Sequence, residues 1–196
     1  MGADRPAARK PRADAQRNRE RLLEVAKAAF ADVGVEVSLE VIARRAGVGI
    51  GTLYRHFPTR DAIVEAVYRR EVQQLAEAAT RLQATLPAGE ALRQWMRLFV
   101  DYTATKKVIA SAMSSIVGGV SELYAASGVL ITEAMSDLVR GAIAANDIRS
   151  DADPTDLLRA LVGFTYGAVG PGWQASALRL IDILMDGLRP PADQRS

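Results

Sequence analysis

Three observations predict an all-α fold of about nine helices. Apolar residues recur at i, i+3, i+4 and i+7 along most of the 196 residues, the repeat that lines one face of a helix. No stretch alternates apolar and polar side chains over the length of a strand. Gly34, Gly47, Pro58 and Pro87 fall between the periodic segments, where helices stop. No internal repeat is present.

Residues 1–15 contain Pro6, Pro11 and scattered cations without periodicity, and they read as a disordered basic tail. From about Gln16, Leu22, Leu23, Ala26, Ala29, Phe30 and Val33 define a first helix that ends at Gly34. Ser38 is placed to cap a second helix, with Leu39, Ile42, Ala43 and Ala46 as its apolar face and Gly47 as its end. A three-residue turn, Val48 to Ile50, leads into a third short helix that Pro58 terminates. Thr59 can cap a fourth helix from Arg60 to about Leu86. Beyond Pro87 the periodicity places helices near 88–105, 106–118, 122–146, 154–169 and 174–189. The expected division is a tail over 1–15, a first domain over 16–60 and a second helical domain over 61–196.

Composition removes several function classes. The chain has no cysteine and one histidine, which excludes disulfides, thiolate catalysis and any multi-histidine or cysteine metal site. Neither GxxxxGK[ST] nor GxSxG occurs, and the carboxylates are scattered, so no enzyme and no cofactor is expected. The basic N-terminus lacks the apolar stretch of a signal peptide, consistent with a cytoplasmic protein. Residues 108–132 hold only one charge, Glu122, but are rich in Ser, Ala and Gly, and they read as two buried helix segments around Gly118–Gly119 rather than a membrane span. Charge is uneven. Residues 1–60 carry 12 Lys/Arg against 7 Asp/Glu, and residues 61–196 carry 13 against 16. The first third therefore suits an anionic partner.

The stretch 47–61, GVGIGTLYRHFPTRD, carries the chemistry. At 100° per residue, Leu53, Phe57 and Ile50 share an inward face. Arg55 lies almost opposite, Thr52 and Gly51 share its outer side, and Tyr54 and His56 occupy the two edges. Such a helix fits the DNA major groove. Arg55 can reach a guanine edge or a phosphate, and Thr52 a base edge or a thymine methyl. Gly49 and Gly51 leave the reading end free of side chains, so that it can approach the bases closely. Helix, short turn, helix is the helix-turn-helix arrangement.

Residues 16–66 resemble the DNA-binding domain of the TetR family of bacterial regulators. The carrying residues are F30–x3–G34, S38-LEVIARRAGV, GTLYRHF and TRDAI. The resemblance implies a phosphate contact at Ser38. It also implies contacts to bases or backbone at Ile50, Gly51, Thr52, Tyr54, Arg55 and His56, and a phosphate contact at Arg60. Gly49 and Ile50 stand where the family often has Ser and Lys, a departure that removes a hydroxyl and a charge from the reading end. Arg44, on the exposed side of helix two, is a further candidate, ahead of Arg45. The tail cations Arg5, Arg9, Lys10 and Arg12 suit a minor-groove arm or a solubilising tail equally.

One such domain covers little DNA, and the usual solution is a dimer on a near-palindromic double-stranded operator. Near the C-terminus the helices are apolar over a wide arc and need cover on more than one side. The candidate interface comprises Leu158, Val162, Thr165, Val169, Leu178, Ile181, Met185 and Leu188. The resemblance implies that the last two helices form a four-helix bundle with their mates, and that the preceding region encloses a small-molecule pocket. Candidate lining residues are Trp95, Met96, Phe99, Tyr102, Met113, Tyr124, Phe164 and Trp173. An apolar lining with a few hydroxyls favours a largely hydrophobic effector, with Arg97, Asp101, Lys106 and Glu122 as charges available to it. The expected function is a homodimeric repressor released by such a ligand. The alternative is a DNA-binding regulator without a ligand switch, an activator or an architectural factor. The sequence identifies neither the operator nor the effector nor the regulated genes.

Overall fold

The computed structural model describes residues 9–113, 120–167 and 170–190; the side chains of 9–12 and 120–122 are not among the described atoms. The described residues form eight α-helices and no strand: α1 (Arg9–Val33), α2 (Leu39–Arg45), α3 (Ile50–His56), α4 (Arg60–Thr85), α5 (Ala88–Met113), α6 (Val120–Ala144), α7 (Pro154–Tyr166) and α8 (Trp173–Gly187). The all-α expectation holds. Helix α1 starts at Arg9, earlier than the expected start near Gln16. The expected break at 105–106 is absent. No glycine or proline stands there, and the pair Lys106–Lys107 does not interrupt backbone hydrogen bonding, so one helix replaces two. Among the described residues no helix is long and apolar enough to cross a membrane.

The chain packs as two compact units, Met1–Arg70 with Val108–Val117, and Glu71–Lys107 with Gly118–Ser196. In this division the first turns of α4, with buried Ile63, Val64 and Val67, fall in the first unit. In the first unit, Leu22, Ala26 and Phe30 of α1, Ile42 and Ala43 of α2, and Leu53 with Phe57 are all buried. The caps behave as their residue types require. Ser38 Oγ accepts from the Val41 N–H at 3.3 Å, and Thr59 Oγ1 from the Ala62 N–H at 3.1 Å. Each such cap stabilises its helix by about 1 kcal/mol.

The α2–α3 turn is closed by a Schellman motif. The Val48 N–H donates to the Ala43 carbonyl at 3.0 Å and the Gly47 N–H to that of Arg44 at 3.1 Å. Gly47 has φ +67°, which a side chain would disfavour. The turn runs from Ala46 to Gly49, slightly earlier than expected, and α3 begins at Ile50.

The second unit is built on long-range polar ties laid over an apolar core. Trp95 is fully buried on α5, and its Nε1–H donates to the Leu75 carbonyl at 2.8 Å. Phe99 and Tyr102 follow it in a tilted aromatic run, with centroid separations of 6.0 and 5.5 Å. Arg93 of α5 reaches Asp182 of α8 at 2.7 Å, and Arg97 joins the same carboxylate at 3.3 Å. Asp153 caps α7, accepting from the Thr155 and Asp156 N–H groups, with Pro154 in the first turn.

Candidate nucleic-acid interface

Helix α3 divides as its wheel requires. Leu53 and Phe57 are buried, and the Arg19 guanidinium lies 5.4 Å over the Phe57 ring. Outward, Arg55 is exposed, Tyr54 is 44% exposed, and Thr52 and His56 are half-buried on the flanks. None of the side-chain polar groups of Thr52, Tyr54 or Arg55 makes a hydrogen bond or ion pair among the described residues. His56 touches only the neighbouring Phe57 ring, at 6.2 Å. A short helix thus presents four hydrogen-bonding side chains with no hydrogen-bond partner among the described residues.

Its glycines are equally unconstrained from within. A Cβ at Gly49 or Gly51 would meet nothing within 4 Å, and neither residue has a positive φ. The protein's own packing does not require glycine at either position.

Ile50 corrects the helical wheel. It was expected inward, yet it is 38% exposed. As the first residue of α3 it leans beyond the helix end, where no preceding turn lies beneath it. It stands beside Gly51 and Thr52 on the outer end.

The cations of the first unit fall into two groups. Arg45 is engaged by Asp32 at 3.1 Å, whereas the exposed Arg44 has no such partner. Arg60 is half-buried and turned inward. Its Nη1 donates to the carbonyls of Val35 at 2.6 Å and Val37 at 2.9 Å. The phosphate role expected for Arg60 is joined by a structural one that the sequence did not reveal: it holds the turn leading into exposed Ser38. Arg5 lies outside the described residues, and Arg9, Lys10 and Arg12 fall in the first turns of α1.

In the second unit the structure redistributes the remaining candidates. Of the eight interface residues, Thr165, Ile181, Met185 and Leu188 are buried within the chain itself, so they cannot supply a surface to a partner. Leu158 and Leu178 are half-buried, Val162 is exposed, and Val169 lies outside the described residues. The exposed apolar side chains of α7 and α8 are instead Val162, Tyr166, Leu180 and Ile183. Of the eight pocket candidates, Trp95, Met96, Phe99 and Tyr102 are packed core of α5, with Tyr102 also edging an open groove of about 470 Å³ that Leu98, Glu71 and Arg81 line. Met113 is buried and belongs to the first unit. Phe164 is half-buried on α7. Tyr124 and Trp173 form a separate cluster. Lys106 Nζ lies 4.5 Å over the Tyr124 ring, and Lys107 Nζ lies 3.8 Å over that of Trp173.

Comparison with known proteins matches the chain in two stretches. Residues 22–67 match the family model for bacterial regulatory proteins of the tetR family. Residues 87–190, more than half of the chain, match that of the SbtR-like transcriptional regulator C-terminal domain. An HTH-type transcriptional regulator of Staphylococcus aureus strain USA300 is 42% identical over 62 residues, 31% of this chain and 34% of that protein, so the match spans about a third of such curated relatives. Solved structures extend the likeness over nearly the full length. A TetR transcriptional regulator of Streptomyces coelicolor is 45% identical at a TM-score of 0.81, over 89% of this chain and 99% of the other. The TetR transcription regulatory protein of Mycobacterium vanbaalenii is 35% identical at 0.76, over 91% and 98%. With both parts of the chain matched, this protein belongs to the TetR family of DNA-binding bacterial transcriptional regulators.

Proposed function

We propose that the protein is a homodimeric repressor that binds a near-palindromic operator and is released from it by a small, largely hydrophobic effector. The carrying observation is the outer face of α3. Thr52, Tyr54, Arg55 and His56 offer hydrogen-bonding groups that find no partner among the described residues, beside two glycines that the packing of those residues does not need. In this reading Arg55 and Thr52 contact base edges, while Tyr54 and His56 reach the backbones on either side. Ile50, Gly49 and Gly51 admit the helix end to the groove. Ser38 and Arg44 meet phosphates, and Arg60 supports that contact by fixing the turn before Ser38.

Two half-sites require two copies held at fixed spacing. Exposed Val162, Tyr166, Leu180 and Ile183 supply an apolar face for that pairing. Repression then follows from occlusion of polymerase. A ligand relieves it only by binding the non-operator spacing of the dimer more tightly than the operator-bound one.

The sign of regulation is tested with a reporter gene placed behind the selected operator in a bacterial host. Expression of the protein is expected to lower reporter output at least tenfold, and the Arg55→Ala variant to leave it unchanged. A rise in output on expressing the protein would instead establish the activator reading.

A further inference from the structure

The effector reading leaves the chemistry of the ligand open, and α5 narrows it. Thr103 is 0% exposed, and its Oγ1 has no hydrogen-bond partner. A helical threonine usually satisfies its hydroxyl on the carbonyl four residues back, and Thr165 of α7 does so with Leu161 at 2.8 Å. Thr103 does not. An orphaned buried hydroxyl is unfavourable by about 1–3 kcal/mol, so its retention calls for a partner that the described residues do not supply.

Lys106 and Lys107 lie three and four residues on, on the same helix face as Thr103, roughly 5–6 Å from it between Cβ atoms. Their roles differ. Lys107 Nζ donates to the Thr165 carbonyl at 2.6 Å, at the C-terminal end of α7, where a cation is favoured. Lys106 makes no such bond. It is half-buried, and its ammonium meets only rings: Tyr124 at 4.5 Å and Tyr166 at 5.7 Å. No carboxylate among the described residues pairs with it. Burial accordingly pushes the Lys106 ammonium below its usual pKa. Among the described residues, a desolvated cation without a counter-charge and a buried hydroxyl without an acceptor stand one helical turn apart. Aromatic faces surround the cation.

We infer that the second unit holds a subsite for an organic carboxylate, in which Lys106 and Thr103 take the acid group and Tyr124, Tyr166 and Trp173 take an apolar or aromatic body. This rests on the ligand-responsive reading and refines it: the effector is an amphipathic acid rather than a neutral hydrophobe. A carboxylate supplies the acceptor that Thr103 Oγ1 lacks and the charge that Lys106 lacks. A neutral compound of the same shape supplies neither charge nor a comparable acceptor. The three rings converge from α6, α7 and α8, so occupation of the subsite would bear on how those helices pack.

Calorimetric titration of the full-length protein with 2-naphthoate and decanoate, against 2-naphthamide and decanamide, tests this. Each acid is expected to bind at least tenfold more tightly than its amide. Lys106→Met should remove that preference, lowering acid affinity about ten- to a hundredfold and leaving amide affinity within twofold. Thr103→Val, which replaces the orphaned hydroxyl by a methyl group of the same size, should weaken the acids severalfold while leaving Tm unchanged or higher. That combination separates a binding role from a structural one. Equal affinity of acids and amides, or acid binding that survives Lys106→Met in a protein of unaltered circular dichroism, would overturn the carboxylate subsite. Binding of none of the four would overturn it as well. Operator release measured with the same four compounds separates the two readings. Release by an amide alone would overturn the subsite and keep the switch, whereas acid binding without release would support the subsite and remove the switch.

Discussion

Arg55→Ala loses specific operator binding while the protein stays folded. Arg55 is exposed on α3 and makes no ion pair or hydrogen bond in the described chain. Alanine is the better helix former, so stability should move by no more than about 0.5 kcal/mol. A side chain reading a base edge is worth about 1–3 kcal/mol, and a dimer carries two copies. The loss is then about 2–6 kcal/mol, roughly 30-fold at the least, in fluorescence anisotropy on the selected operator. The salt dependence shows which contact is lost. If Arg55 reads a base, discrimination between the operator and a site mutated at one position collapses. If it binds phosphate, affinity falls alike on all sequences and the salt slope drops by about two per dimer. Arg45→Ala is the matched control. Its guanidinium is already engaged by Asp32, and its removal should leave operator affinity within about threefold.

Ile183→Glu is expected to split the proposed dimer. Ile183 is 66% exposed, the most exposed large apolar side chain on α8, and it lies one turn from Leu180. Full burial of such a side chain contributes about 1.5–3 kcal/mol, and Val162, Tyr166, Leu180 and Ile183 offer four per copy. A glutamate there must be desolvated opposite an apolar surface, which opposes association by several kcal/mol. Sedimentation at micromolar concentration should shift from dimer to monomer with unchanged helicity. Operator affinity should fall more than a hundredfold, because a single reading helix no longer benefits from its mate. Met185→Glu is expected to behave otherwise. Met185 is buried in its own chain, and its replacement should unfold the second unit rather than dissociate a folded one. A dimer that survives Ile183→Glu would remove the α7–α8 stripe as the interface.

The contrast between these two variants shows what the sequence could convey. In the first unit almost everything was legible. Ser38 and Thr59 announce caps, Gly47 announces a left-handed turn, and of the three apolar residues that the wheel places inward, Leu53 and Phe57 are buried and only Ile50, at the helix end, is not. Local chemistry decides each of these. In α7 and α8 apolar side chains run around most of the helix, so spacing alone does not say which arc faces the chain's own core. The stripe through Ile181, Met185 and Leu188 is inside, and the stripe through Leu180 and Ile183 is outside. Only the packing partners decide that. The structural role of Arg60 was hidden for a related reason, since its carbonyl partners lie 25 and 23 residues earlier and no motif encodes the bond. Thr103 was missed altogether. One buried threonine in a helix carries no signal until its hydroxyl is seen to lack a partner.

The central claim is that α3 reads DNA as one of a symmetric pair. Selection of bound fragments from genomic DNA by the purified protein, followed by footprinting of the strongest fragment, tests it most directly. The account predicts enrichment of an inverted repeat, with two protected half-sites centred about one helical turn or a small multiple of it apart, and loss of both footprints together in Arg55→Ala. A folded protein that enriches no sequence above background, or that protects a single asymmetric site insensitive to Arg55, would contradict it.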